Sequence, residues 1–167
     1  MSVIANDASA QLLDQVNQAL AANTPLHIQG SGSKSFLGRQ ADGVRLDTRE
    51  HRGLVTYDPT ELVVTVRAGT PLTELEAALD AAGQMLPCEP PHFAEGATVG
   101  GMIAAGLSGP RRPWSGSVRD FVLGSRVITG QGKHLRFGGE VMKNVAGYDL
   151  SRLMAGSFGC LGVLTEV

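Results

Sequence analysis

Glycine constrains the fold of this chain more than any other residue type. The sequence contains 22 glycines in 167 residues, nearly twice the ordinary frequency. Most of them cluster in residues 96–116, 130–139 and 156–162. Because glycine lacks a Cβ atom, it allows positive φ angles and lets the backbone approach another group closely. The clustering therefore indicates tight backbone approach at several separate places in the fold.

A shorter glycine-rich stretch, residues 30–34, looks like a nucleotide-binding loop but matches neither common type. A Walker A loop that ends in Lys34 and Ser35 needs glycine at the positions of Ser33 and Ile28. The dinucleotide fingerprint needs glycine where the chain has Ser35. Two interpretations remain, an ordinary Gly/Ser turn and an anion site built from backbone N–H groups.

The composition is that of one globular domain. The chain is 43% hydrophobic and 18% charged, and its net charge of −2 indicates no basic surface for nucleic acid. Cys88 and Cys160 lie far apart without a Cys-x-x-Cys motif, so neither an iron–sulfur cluster nor a structural zinc site is expected. The first residues lack the pattern of a secretory signal, and no apolar run approaches about 18 residues. These features predict a cytoplasmic protein without a metal site.

The spacing of apolar residues predicts helices and strands in mixed order, and hence an α+β fold. The first half is predicted to begin with a helix that is capped by Asp7 and has Leu12, Leu13, Val16 and Leu20 on its inner face. Strands follow over 26–28, 44–46 and 62–66. A second helix has Thr70 as N-cap and Pro71 as its first residue, and it stops at Gly83. In the second half the predicted elements are a helix over 99–105 capped by Thr98, a strand over 122–128 in a hairpin with 134–137, a weaker helix over 142–154 and a final strand over 161–167. The proline-rich segment 87–91 is interpreted as a hinge between two lobes, 1–86 and 92–167.

Three stretches, separated by the predicted strand 62–66, carry a resemblance to a known family. They read GSGSK at 30–34, ATVGGMIAAGLSGPRRPWSGSVRDFVLG at 97–124 and KNVAGYDLSRLMAGSFGCLGVLTEV at 143–167. In order and spacing they resemble the FAD-binding domain of the vanillyl-alcohol oxidase and p-cresol methylhydroxylase family. Residues 57–87 narrow the resemblance to the FAD-binding subunits of bacterial glycolate oxidases. It covers essentially the whole chain and implies a two-lobed FAD-binding domain without the cap domain that contacts substrate in related oxidases.

The resemblance also implies which residues bind FAD. Backbone N–H groups of residues 30–34 would hold the pyrophosphate, because no cluster of arginines accompanies this loop. The start of the helix at Thr98 would offer further free N–H groups to the cofactor. Gly116 would lie beside the flavin, and the backbone of Val163 would meet the adenine end. The full predicted set is Gly30, Ser31, Gly32, Ser33, Lys34, Gly38, Thr98, Gly100, Gly101, Ala104, Ala105, Gly116 and Val163.

The chain departs from the family pattern at the positions that link the cofactor covalently. Where the family usually has a linking histidine, this chain has Ser33, and residues 106–112 contain no linking cysteine. These departures predict that FAD is held non-covalently. Relatives often have asparagine in place of Gly106 and arginine in place of Trp114, so the reactivity of the flavin is less constrained than its binding.

The resemblance implies an FAD-dependent oxidoreductase subunit that takes part in oxidising a 2-hydroxy acid such as glycolate. Its partners would be a second flavin subunit and an iron–sulfur subunit, which could attach the chain peripherally to the inner membrane. No paired carboxylates, Ser-His-Asp order or metal-spaced histidines supply a base. No catalytic residue is therefore assigned, and the isolated chain is expected to be inactive. The alternative is a non-catalytic assembly subunit that keeps the fold for docking partners.

Overall fold

A run of four strands and a run of helices follow one another along the chain, and the predicted α+β class is confirmed. The computed structural model describes residues 5–40, 42–140 and 147–167. The helices are α1 (Ser9–Ala21), α2 (Leu72–Asp80), α3 (Val99–Ala105), α4 (Arg112–Ser115) and α5 (Leu150–Leu153), with a 3-10 helix at Val118–Phe121. The strands are β1 (Leu26–Gln29), β2 (Val44–Asp47), β3 (Leu54–Asp58), β4 (Val63–Val66), β5 (Gly124–Ile128), β6 (His134–Gly138) and β7 (Val163–Glu166).

The strands form three small sheets. β1 and β2 are parallel, with Leu26 opposite Val44. β3 and β4 are antiparallel, and β5 is the central strand of an antiparallel sheet in the order β6-β5-β7. Val66, the last residue of β4, exchanges two backbone hydrogen bonds with Val167, at 2.8 and 3.0 Å. The Ala68 N–H also donates to the Thr165 carbonyl at 2.7 Å, and Arg67 lies opposite Glu166. The second and third sheets are therefore joined through a short antiparallel pairing.

Two hydrophobic clusters form the core. The larger lies among α2, α3 and strands β4, β5 and β7; its members include Val66, Leu72, Leu75, Leu79, Val99, Met102, Ile103, Val118, Val127 and Leu164. The smaller packs α1 against β2, β5 and β7 through Leu12, Val16, Leu46, Ile128 and Val163. Each cluster combines residues from before 87 and after 91, so each contains side chains from both of the predicted lobes. The two-lobed arrangement stays a prediction.

The elements predicted for the first half are found, with four differences. Asp7 is not the N-cap of α1: Ala8 holds that position without a side-chain cap, and the Asp7 carboxylate accepts the N–H of Ser9 at 3.0 Å. The sequence pattern missed β3, whose alternation is weak because three of its five residues are exposed. Leu20 is 47% exposed, although Leu12 and Val16 on the same helix are buried as expected. The prediction that Thr70 caps α2 is wrong: the helix begins at Leu72, and the Thr70 hydroxyl accepts the Gly53 N–H at 2.8 Å.

In the second half α3 and the β5–β6 hairpin form as predicted, although β5 begins at Gly124 rather than at 122. The predicted helix over 142–154 is reduced to Leu150–Leu153, and its residues 142–146 lie outside the described part of the chain. Asp149 caps this short helix, since its Oδ1 accepts the Arg152 N–H at 3.1 Å. No helix within the described ranges combines the length and apolar character needed to cross a membrane.

Candidate functional site

The Gly/Ser loop (residues 30–34) leaves the carboxyl end of β1 with its backbone polar groups largely unused. The N–H groups of Gly30, Ser31, Gly32 and Lys34 donate no hydrogen bond to another described residue. The Ser33 N–H makes only a long contact, 3.4 Å, with the hydroxyl of Ser31. Several unpaired N–H groups on neighbouring residues are available as hydrogen-bond donors to an anion.

Gly32 produces the turn of this loop. Its φ of +76° lies in the left-handed region, where residues with a Cβ are strained and β-branched residues most of all. A Cβ at this position would also run into the side-chain amide of Gln29. Glycine is therefore required here by conformation, since the end of the flexible Gln29 side chain can move aside. Gln29 was not singled out by sequence reasoning, because a glutamine at the end of a strand carries no distinctive signal.

Lys34 completes the donor set of the Gly/Ser loop. Its Nζ is buried and has no hydrogen-bond partner among the described residues. Burial lowers the pKa of this ammonium group below its ordinary value, because the charged form loses solvation. Buried charged groups are normally paired, so an unpartnered ammonium next to unpaired N–H groups indicates a missing anionic partner.

The structure brings the Gly/Ser loop against the segment that leads into α3. A Cβ on Gly30 would lie 2.5 Å from the hydroxyl of Thr98, and one on Gly96 would lie 3.7 Å from the Cβ of Ser31. The rings of Phe36 and Phe93 meet edge to face, with centroids 5.0 Å apart. Two of the three predicted stretches therefore form one surface. Sequence reasoning missed the aromatic pair, because its members lie in loops 57 residues apart and no local pattern connects them.

At the start of α3, the expectation of free N–H groups is wrong. Thr98 caps the helix as predicted, since its hydroxyl accepts the Gly101 N–H at 3.2 Å. The Val99 N–H donates to the Thr70 carbonyl at 2.9 Å, and the Gly100 N–H donates to the Ala68 carbonyl at 2.7 Å. The N–H groups of Val99, Gly100 and Gly101 are thus bonded within the protein, and at the start of α3 only the Thr98 N–H has no acceptor among the described residues.

The two glycines of α3 have different roles. A Cβ on Gly100 would lie 2.8 Å from the Cβ of Ala68 and 3.0 Å from its carbonyl oxygen, so this glycine is required by packing. A Cβ on Gly101 would approach only the Thr98 hydroxyl, at 3.1 Å. Gly101 therefore borders open space on the side of Thr98, where a ligand can lie against the helix.

The end of α3 is covered by the segment after α5. The carbonyl groups of Ile103 and Ala104 accept the N–H groups of Gly156 and Phe158, at 3.0 and 2.9 Å. Gly106 ends the helix in a left-handed conformation, with a φ of +64°. Ala104 is half-buried, whereas Ala105 is buried, so only Ala104 can border a ligand without a shift of the helix.

The remaining predicted site residues lie at separate positions. Gly38, with a φ of +82°, is exposed, and no described residue lies within 4 Å of the place where its Cβ would be. Gly116 ends α4 and borders the carboxylate of Asp120, 3.2 Å from an added Cβ. The side chain of Val163 is buried in the smaller core cluster, which leaves only its backbone for a ligand.

Comparisons with known proteins give the same picture. Residues 2–138 match the model of a family described as FAD binding domain. The chain is 74% identical over 161 residues to glycolate oxidase subunit GlcE of Escherichia coli (strain K12), covering 96% of this chain and 46% of that protein. It is 33% identical over 144 residues to glycolate oxidase subunit GlcD of Bacillus subtilis (strain 168), covering 85% of this chain and 30% of that protein. It is 34% identical over 144 residues to a D-lactate dehydrogenase of Archaeoglobus fulgidus, covering 85% and 32%. The resemblance inferred from the sequence is confirmed, and the chain spans less than half the length of these curated relatives.

Proposed function

The chain belongs to the FAD-binding domain family, whose model matches residues 2–138, and we propose that its Gly/Ser loop holds the pyrophosphate of FAD. FAD is the cofactor that membership in this family indicates. The observation that carries the proposal is the combination of unpaired N–H groups at Gly30, Ser31 and Gly32 with the unpartnered ammonium of Lys34. A pyrophosphate would supply acceptors for the N–H groups and an opposite charge for the ammonium.

The surface formed with Thr98 and Gly101 would then border the cofactor beyond its phosphates. Since the donors of the first turn of α3 are already used, this helix contributes shape rather than hydrogen bonds. Gly101 and Ala104 are small enough for a ring system to lie close to the helix axis. Gly100 and Ala105 support this surface from behind through packing.

For the rest of the cofactor we retain three assignments from the family pattern. The backbone of Val163 would meet the adenine end, and Gly116 would lie beside the flavin. Gly38, which follows the Gly/Ser loop, would contact the cofactor through its exposed backbone. Attachment would be non-covalent, because Ser33 and residues 106–112 provide neither the histidine nor the cysteine used for linkage.

FAD, when bound, supplies an acceptor for two electrons from a substrate carbon. The similar proteins are named as glycolate oxidase subunits and D-lactate dehydrogenases, which supports oxidation of a 2-hydroxy acid such as glycolate. In this function the present residues bind and orient the cofactor, and the groups that position the substrate come from other parts of a longer protein or from partner subunits. The partners would be a second flavin subunit and an iron–sulfur subunit. Through them a chain in the cytoplasm would reach the inner membrane.

The test is isothermal titration of the 167-residue chain with FAD and, separately, with FMN. We expect FAD to bind clearly more tightly than FMN, because the adenine half would add contacts at the Val163 end. Acid precipitation of the loaded protein should release all flavin into the supernatant. Equal affinity for both cofactors would contradict the adenine assignment, and flavin retained on the denatured protein would contradict non-covalent binding. If neither cofactor binds, the function as an assembly subunit is supported instead.

A further inference from the structure

The ammonium of Lys34 is buried in this structure, although it belongs to the loop that the proposed function assigns to an anion. Its Nζ is screened from solvent and has no hydrogen-bond partner among the described residues. The loop around it, residues 30–34, is half-buried. A ligand can reach this ammonium only if a part of the protein that covers it moves aside. A weakly held segment next to the loop is therefore a candidate for controlling access.

Such a segment is formed by residues 92–96, which we call the strap. All five of its residues are exposed, and their backbone makes no hydrogen bond to another described residue. The strap is anchored at its ends, where Pro90 and Ala97 are buried and the Ala97 carbonyl accepts the Leu72 N–H at 2.7 Å. A segment with little buried surface and no backbone hydrogen bonds opens at a low cost in free energy.

The strap runs alongside the Gly/Ser loop and contacts that part of the chain at two places. Gly96 lies near Ser31, since a Cβ on Gly96 would be 3.7 Å from the Ser31 Cβ. The rings of Phe93 and Phe36 meet with their centroids 5.0 Å apart. The first contact involves the end of the strap and the start of the loop, and the second involves the opposite ends. Residues 32–34 therefore lie between the two contacts, next to the strap.

Two side-chain contacts hold the strap in this position. On one side His92 Nε2 lies 3.0 Å from Oε1 of Glu76 in α2, and both side chains are more than a third exposed. Exposed ion pairs of this kind contribute little to stability. On the other side Phe36 and Phe93 form an edge-to-face pair, a geometry that favours aromatic contacts and is lost when either ring is removed. The aromatic pair is therefore the stronger of the two contacts.

We propose that the strap opens and closes over Lys34, and that the contact between Phe36 and Phe93 is the latch that sets how often it opens. Gly96 is suited to be a hinge, because a glycine absorbs changes of backbone angle readily. The opening itself does not depend on which anion the loop binds. Its consequence for ligand exchange rests on the proposed function: FAD enters and leaves only while the strap is open, so the latch affects both rates together.

Acetylation of lysines in the cofactor-free chain measures the opening directly. The chain is treated with dilute acetic anhydride, and peptide mass spectrometry gives the acetylation rate of Lys34 relative to that of exposed Lys133. In Phe93→Ala we expect this ratio to rise by about fivefold, since an aromatic pair shifts an equilibrium by a factor of roughly 2 to 10. Phe121→Ala removes another exposed ring, on the 3-10 helix, and should leave the ratio unchanged.

Phe36→Ala should give the same rise as Phe93→Ala, and the double variant should give no further rise, because both substitutions remove one contact. An unchanged ratio in both single variants, or rises that add in the double variant, would overturn the proposal. Urea denaturation of each variant measures its global stability. If the rise in Lys34 acetylation matched the increase in the globally unfolded fraction, the proposal would also be wrong, since unfolding alone would then expose the ammonium.

Stopped-flow mixing with FAD tests the consequence for ligand exchange. Phe93→Ala should raise the association and dissociation rate constants by a similar factor and keep the dissociation constant within about twofold, because the latch is already formed without the cofactor. A rise in the dissociation rate constant alone would contradict the latch, since Phe93 would then be a direct cofactor contact. If the unaltered chain binds no FAD, the proposed function fails, whereas the acetylation of Lys34 still decides whether the strap opens.

Discussion

The Gly/Ser loop and the first turn of α3 are alike in sequence and opposite in use. Both contain two glycines near small hydroxyl residues, and each would pass for the start of an anion-binding helix or loop. In the Gly/Ser loop the backbone N–H groups are left without protein partners, and the ammonium of Lys34 is buried without a partner among the described residues. In α3 the corresponding N–H groups bond to Ala68, Thr70 and Thr98. Glycine thus accompanies unpaired donors in one region and permits close packing in the other.

The largest expected effect is on the Gly/Ser loop, through Gly32→Val. Valine disfavours the positive φ of this position, so the loop shifts and its N–H groups no longer converge. We expect the dissociation constant for FAD to rise by at least about 100-fold, or ~2.7 kcal/mol. Isothermal titration measures it. Gly83→Val is the matched control, because Gly83 has a similar φ of +70° with open space around it and lies outside the candidate site. Similar loss of FAD binding in both variants would show that backbone strain alone is responsible.

The second prediction concerns stability at α3. Gly100→Ala should lower the free energy of unfolding by about 2 kcal/mol, since the added methyl group meets the Ala68 backbone in a packed region. Gly101→Ala should change it by less than about 0.5 kcal/mol, because its methyl group meets only the Thr98 hydroxyl, at 3.1 Å, and the higher helix propensity of alanine offsets this contact. Urea denaturation measures both variants. Because both carry the same substitution in the first turn of α3, the change in helix propensity is similar in the two. If Gly101→Ala were the more damaging variant, the assignment of packing to Gly100 would be wrong.

A smaller effect, with opposite signs in two measurements, is expected for Lys34→Met. Binding of FAD should weaken by roughly tenfold, or about 1.4 kcal/mol, as one charge-assisted contact is lost. The cofactor-free chain should become equally or more stable, because an unpartnered buried ammonium is removed. Titration and urea denaturation give the two values. Lys133→Met, at an exposed position in the β5–β6 hairpin, should leave both unchanged. If the Lys34→Met chain were less stable, Lys34 would instead form an ion pair that stabilises the cofactor-free fold.

The smallest expected effect is the pH dependence of stability that His51 causes. His51 is buried, and its Nδ1 accepts the Ala8 N–H at 3.0 Å while its carbonyl accepts the Gly69 N–H at 2.9 Å. Burial holds the pKa of His51 below its ordinary value of 6.5, with Arg67 acting in the same direction. The unfolded chain therefore binds the proton more readily. The contribution to stability is complete above pH 6.5 and is lost as the pH falls from 6.5 through the lower folded pKa, by at most about 1.4 kcal/mol per pH unit.

Urea denaturation between pH 7.5 and 5.5 measures this dependence, and His51→Gln should flatten it. The slope with pH, rather than the absolute stability of the variant, is the relevant quantity. Amide exchange in the segment around Gly69 should accelerate before exchange in the β5–β6 hairpin. An unchanged slope in His51→Gln would assign the dependence to another group.

Local chemistry made several features predictable from the sequence. Thr98 before a run of small residues specified the cap and start of α3. The β-branched residues of β4 predicted a strand, and the turn residues between β5 and β6 predicted a hairpin. Both signals come from residues that are neighbours in the chain. Thr70 looked equally suited to capping, but its hydroxyl is bound to Gly53, seventeen residues away. Competition from a distant partner is invisible to a local pattern.

The sequence by itself determined where glycines permit unusual backbone conformations, which residues carry donors, and the family to which the chain belongs. The tertiary structure alone decided which donors remain unpaired. A backbone N–H group is the same at Gly32 and at Gly100, and its availability depends on whether another part of the fold places a carbonyl within reach. Ala68 and Thr70 do so for α3, and no described residue does so for Gly30, Ser31 or Gly32. Hydrogen-bond satisfaction depends on residues distant in sequence. The sequence therefore predicted donors in both the Gly/Ser loop and α3, and only the tertiary structure distinguished the two.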